Sequence, residues 1–148
     1  MRLRYAFLVK CTHLEKDARG NIATVHCTYD PDTKSGTPGA EKRKVKGNIH
    51  WVSAQHACPG EVRLTDRLFR VAQPGTDRDF LEDINPDSMQ RVTAQLEPSL
   101  RHARPEDRFQ FERHGYFVAD LKDAKPGTPV FNRTVTLRDS WARGSRQG

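Results

Sequence analysis

Residues 3–11 read LRYAFLVKC, and their alternation constrains the fold more than any other feature. Leu3, Tyr5, Phe7, Val9 and Cys11 fall on one side, while Arg2, Arg4 and Lys10 fall on the other. A period of two is that of a half-buried β-strand and is incompatible with a helix. The following KDARGN supplies turn residues and NIATVHCTYD resumes the alternation, so residues 2–15 and 21–29 are predicted to form a hairpin. A turn centred on Arg19 sets Cys11 and Cys27 close together across it. There they read as a reduced core pair, not a disulfide.

The same style continues along the chain. DPDTKSGTPGAEKRK is a surface loop by every local signal, and its basic run Lys42, Arg43, Lys44 and Lys46 supplies candidate phosphate contacts. VKGNIHWVSA reads as a strand that ends in a helical turn around SAQHA. EVRLTDRLFR alternates Val62, Leu64 and Leu68 as a further strand. TDRDFLEDINPDS carries a capping residue, acidic groups and a terminating Asn-Pro, which marks one or two short helical turns. Strands are predicted again at 89–97, 108–119 and 129–138, and the tail at 141–148 is too polar and glycine-rich to order itself. Short strands, frequent turns and almost no helix define an all-β barrel or sandwich.

Composition narrows the function. The 148 residues suffice for one domain or two very small ones, and with 35% hydrophobic and 30% charged residues the core is economical. A net charge of +6 favours an anionic partner, of which nucleic acid is the commonest, but a merely basic, soluble surface accounts for the charge equally well. No apolar run approaches the roughly 20 residues of a membrane span, and MRLRYAFLVK alternates where a secretory leader would be continuous. Three cysteines, odd in number and unclustered, suit a reducing cytoplasm.

Most catalytic readings fail on spacing. His50, His56 and Cys58 lie close in sequence but match no zinc pattern and lack an evident fourth ligand, so no metal is expected. There is no phosphate-binding loop, dinucleotide fingerprint or nucleophile elbow. FQFERHGYF, residues 109–117, does better as an RNA-binding surface. Unpaired bases are read by stacking on aromatic rings and by hydrogen bonds to their edges. Gln110 both donates and accepts, which matches the adjoining N3–H and O4 of uracil, and Arg113 donates to carbonyl or phosphate oxygen. On a regular strand Gln110 and Glu112 face opposite to Phe109, Phe111 and Arg113, and a kink at Gly115 would bring both sides to one edge. At least two of Phe109, Phe111, Tyr116 and Phe117 belong to the core.

RKVKGNIHWVSAQHA, EVRLTDRLF, INPDS, EPSL, RFQFERHGYFVAD and PVFNRTVTLRDSW together resemble the C-terminal anticodon-binding region of bacterial glutaminyl-tRNA synthetases, in the family's order from Arg2 to Trp141. The resemblance implies an all-β fold of small six-stranded β-barrels, a type shared with a ribosomal protein. It places a distal barrel at roughly 1–105 and strands returning toward an incomplete proximal barrel at roughly 106–140. It implies glutamine tRNA as partner, with Arg2 at the first anticodon base and Gln110 and Arg113 at the middle uridine. Arg4, on the outward face with Arg2, is a candidate to hold backbone phosphate. The family's catalytic half uses ATP and Mg; its HIGH-like and KMSKS-like motifs are absent here, so no cofactor and no catalysis are expected of this segment. An excised segment, a truncated gene product and a piece of a longer chain all fit. A stand-alone RNA-binding barrel and a structural module without tRNA binding are the alternatives. Thr65 stands where the family normally has tyrosine, which removes aromatic packing next to Arg67.

Overall fold

The computed structural model describes residues 1–40, 43 and 45–137. The chain divides into two compact units, Met1–Trp51 and a second beginning at Val52. The expected boundary near residue 105 runs through the second unit, whose one sheet takes strands from both sides of it. The tail at 141–148 lies outside the described residues.

The first unit is a four-stranded sheet of β1 (Arg2–Leu3), β2 (Leu8–Lys16), β3 (Ile22–Asp30) and β4 (Asn48–Ile49), in the order β3-β2-β1-β4. The predicted hairpin is β2 and β3, turned at Asp17–Gly20. The Asp17 carboxylate accepts from the backbone N–H groups of Arg19 and Asn21, each at 2.9 Å, and Gly20 takes φ 83°. Its start is not one strand, however. The chain reverses at Arg4–Ala6, where Ala6 N–H donates to the Leu3 carbonyl at 2.9 Å and Tyr5 adopts φ 61°. Tyr5 is therefore solvent-facing, and buried Ala6 takes the inward place.

Cys11 and Cys27 are indeed direct cross-strand partners, but both are exposed, so they are not a core pair. The expected strand over VKGNIHWVSA is reduced to Asn48–Ile49, although the following turn at Ser53–Ala57 is present. The loop after β3 is not a loose surface segment. It begins with a 3-10 turn, Pro31–Thr33, and buries Thr33 and Ala40.

The second unit is a five-stranded sheet of β5 (Cys58–Thr65), β6 (Met89–Leu96), β7 (Arg108–Phe111), β8 (Gly115–Ala119) and β9 (Val130–Val135), ordered β6-β5-β9-β8-β7. Alternation along β5 turns Cys58, Gly60 and Val62 inward. Gly60 is closely packed: a Cβ there would come within 2.3 Å of Leu96 Cδ1 and 3.1 Å of the Pro129 carbonyl, so Leu96 would have to shift to admit a side chain. The core closes on fully buried Phe131, with Phe111 stacked on Phe117 at 4.3 Å and edge-on to Phe131 at 5.1 Å. Leu68, expected to continue the alternation of β5, lies beyond the strand and is exposed. The Asp79-capped turn is a 3-10 helix, Phe80–Asp83, and a third such turn spans Pro98–His102.

One charged hub ties β5 to the loop after β8. Arg63 donates to Glu61 at 2.6 Å, Asp120 at 3.2 Å and Asp123 at 2.5 Å. Asp120 also accepts from Asn132 Nδ2 at 2.7 Å and from the N–H groups of Lys122 and Asp123. These hydrogen bonds, Asn132 foremost, hold its carboxyl down to about 2, and the Arg63 charge adds to them.

The described residues are thus all-β with short 3-10 turns. Their pairings form two mixed sheets of four and five strands, neither closed into a six-stranded barrel.

Candidate nucleic-acid interface

FQFERHGYF is a hairpin, not a kinked strand. It reverses at Glu112–His114, with Arg113 at φ 66°, Gly115 at φ 140° and His114 N–H donating to the Phe111 carbonyl at 2.9 Å. Only glycine fits at 115, since a Cβ would lie 2.5 Å from the Val135 carbonyl oxygen of β9. The reversal sets the register: Phe109 opposes Phe117, Gln110 opposes Tyr116, and Phe111 opposes Gly115.

That register sorts the aromatics. Phe109, Phe111 and Phe117 pack into the core with Phe131. Tyr116 does not; it is 46% exposed, directly across from exposed Gln110 on the solvent face. Arg108, two residues before Gln110 on β7, shares that face and is also exposed. Arg113 sits exposed at the tip of the turn.

The edge of the sheet therefore presents an amide, a phenol ring and two guanidinium groups. An amide reads a base edge, and a ring stacks a base for about 1–3 kcal/mol. Neither Tyr116 nor Arg108 stood out as a site residue in the sequence. The signal that locates them is the ERHG turn: once it is taken as a reversal, alternation places Tyr116 beside Gln110.

In the first unit the structure treats its arginines differently from expectation. Arg2 and Arg4 do not share an outward strand face, because β1 ends at Leu3 and Arg4 already lies in the turn. The Arg2 guanidinium folds into the loop after β3. Its Nη1 donates to the carbonyls of Thr33 at 2.7 Å and Ala6 at 3.2 Å and to Ser35 Oγ at 3.2 Å, and its Nη2 donates to the Ala40 carbonyl at 2.8 Å. Any base contact by Arg2 competes with these bonds. Arg4 lies over the Tyr5 ring, 5.0 Å from its centroid, and donates to the Tyr5 hydroxyl at 3.2 Å.

Arg43 pairs with the Asp30 carboxylate, and Lys46 is exposed. Lys42 and Lys44 lie outside the described residues. Among the described residues, no group of three or more His, Cys, Asp or Glu side chains is placed to hold a metal ion. His50 and His56 are exposed, whereas Cys58 is buried. Thr65 exchanges bonds with Arg133: its hydroxyl lies 3.4 Å from the Arg133 carbonyl, and Arg133 Nη2 donates to its carbonyl at 3.3 Å.

Residues 48–120 match the model of the anticodon-binding domain of class I tRNA synthetases (E and Q). The chain belongs to this family. Over 144 residues, 97% of the chain, it is 62% identical to the glutamine–tRNA ligase of Cupriavidus metallidurans and 60% identical to that of Nitrosomonas europaea. Over 142 residues, 95% of the chain, it is 59% identical to the glutamine–tRNA ligase of Polynucleobacter asymbioticus. It spans only about a quarter of the length of these relatives, between 24% and 26%. The family match includes β5, β6, β7 and β8, and so contains the Gln110–Tyr116 pair.

Proposed function

We propose that this chain binds the anticodon loop of glutamine tRNA, as the anticodon-binding part of a glutamine–tRNA ligase. The observation that carries the reading is the cross-strand pair of exposed Gln110 and exposed Tyr116 on the edge hairpin, with Arg113 at its tip. In this reading Tyr116 stacks an unpaired base, Gln110 meets N3–H and O4 of the middle uridine, and Arg113 donates to a carbonyl or phosphate oxygen. Arg2 supports the first-base contact chiefly by holding the loop that carries Thr33 to Ala40, and Arg4, Lys42, Arg43, Lys44 and Lys46 meet phosphates. Joining glutamine to the tRNA with ATP and Mg is the work of the catalytic half of such an enzyme, and the setting is the cytoplasm. The two open sheets are this chain's share of the six-stranded barrels that the family resemblance implies.

The test is titration of anticodon-loop RNA variants against wild type, Gln110→Ala and Tyr116→Ala at two salt concentrations. Gln110→Ala lowers the preference for uridine at the middle base by about 1 kcal/mol and leaves the salt slope unchanged. Tyr116→Ala weakens all variants by about 1–3 kcal/mol. A wild type that discriminates while Gln110→Ala discriminates equally well removes the base-reading role. Wild-type binding without base preference leaves a basic β module that holds RNA by charge.

A further inference from the structure

Cys11 and Cys27 are registered opposite one another on β2 and β3, and both thiols are exposed. The kind of pair follows from their neighbours. Val9 uses its backbone on Met1: its N–H donates to the Met1 carbonyl at 2.8 Å, and its own carbonyl accepts from the Met1 amino group at 2.9 Å. Leu8, one residue earlier, turns its N–H the other way, to Thr33 Oγ1 at 2.9 Å, in the segment that leaves β3. Along an antiparallel ladder, hydrogen-bonded and non-hydrogen-bonded pairs alternate. Val9 faces away from β3, and so does Cys11, two residues on. The Cys11–Cys27 pair is therefore of the non-hydrogen-bonded kind, in which side chains approach most closely and Cα atoms lie about 4.5 Å apart. That lies at the short end of the range, roughly 4.4–6.8 Å, across which disulfides close.

The pair also has slack beside it. The register shifts between Cys11 and His13, so the ladder is already irregular at the next residue. Opposed Cβ atoms in a sheet lie about 4.5–5.5 Å apart, nearest in non-hydrogen-bonded pairs, against about 3.5–4.5 Å in a disulfide, so closure needs only a small inward shift of the two Cβ atoms. A bridge exposed to solvent, as this one is, is readily reached and reduced by a thiol.

The geometry points to a reversible thiol pair: Cys11 and Cys27 form a cross-strand disulfide when met by a peroxide and reopen under a thiol reductant. In the first step one cysteine sulfur attacks a peroxide oxygen, the O–O bond breaks, and water leaves a sulfenic acid behind. The opposite sulfur then attacks that sulfur, the S–O bond breaks, and hydroxide departs with the second thiol's proton as water. Two thiols give up two electrons, and one hydrogen peroxide becomes two waters. Cys58 takes no part, being buried in the second unit with its thiol directed to the Glu97 carbonyl at 3.7 Å.

The test uses the full chain, reduced, freed of reductant, treated with equimolar hydrogen peroxide, alkylated and digested by trypsin without reduction. Cleavage after Lys10, Lys16, Arg19 and Lys34 releases residues 11–16 and 20–34 as separate peptides. The closed pair yields them joined and two hydrogen atoms lighter than their sum, and dithiothreitol separates them. Cys11→Ser and Cys27→Ser abolish the joined peptide, whereas Cys58→Ser retains it. Mixing labelled and unlabelled chains before oxidation distinguishes a bridge within one chain from one between chains. Recovery of both cysteines as sulfinic or sulfonic acids with no joined peptide, or joining only between chains, overturns the proposal.

Discussion

Replacing Arg2 by methionine keeps the aliphatic stem and removes the guanidinium that organises the loop after β3. Four acceptors lose a donor, three of them backbone carbonyls: Ala6, Thr33 and Ala40. A hydrogen bond from a charged group contributes about 1.5–3 kcal/mol. Arg2 is only part-buried, so water recovers some of this at the two longer contacts. Counting only the bonds to Thr33 and Ala40, at the lower figure, gives about 3 kcal/mol, or roughly two powers of ten in the local opening equilibrium. Hydrogen exchange read by mass spectrometry over residues 31–40 reports it, because Ser35 N–H is held on the Ala6 carbonyl at 3.0 Å within this network. Arg2→Lys should fall between wild type and Arg2→Met, since a single ammonium cannot span Thr33 and Ala40 as the guanidinium fork does. Unchanged exchange in Arg2→Met, paired with a loss of RNA affinity, would refute the loop-holding role and leave Arg2 as a base reader alone.

Gly115→Ala should destabilise the second unit by about 2–4 kcal/mol, measured by urea unfolding, because a Cβ meets the Val135 carbonyl and the backbone holds φ 140°. Phe131→Ala should cost about 3–5 kcal/mol in the same assay, as it empties the fully buried centre of the aromatic cluster. Asp120 is held at about 2 when folded, against an ordinary 3.8, so the unfolded chain takes up its proton first as the pH falls. Its contribution, about 2 kcal/mol, is complete above about pH 5 and is lost progressively toward about pH 2. Asp120→Asn should flatten that part of the stability–pH curve, and an unaltered curve would place the acid sensitivity elsewhere.

The sequence alone determined the β character of the chain, the β2–β3 hairpin, the meeting of Cys11 with Cys27, the part of β5 from Glu61 to Thr65, and the strands at Met89–Leu96 and Val130–Val135. Each rests on local pattern: alternation, a turn with Asp17 and Gly20, or the Asp79 cap before Phe80–Asp83. It also carried the family resemblance, because long blocks of side chains in fixed order are specific where single motifs are not. Alternation separates the two faces of a strand but does not say which face another part of the chain will cover. Cys11 and Cys27 share a face as expected, yet that face is open to solvent. Only the tertiary structure decided the reversal at Arg4–Ala6, since Arg2 is drawn inward by carbonyls up to 38 residues away. In the same way, the turn at Glu112–His114 set the register that turned Tyr116 out beside Gln110, with β9 so near Gly115 that only a glycine fits. Contacts of that kind are distant in sequence, and no local period encodes them.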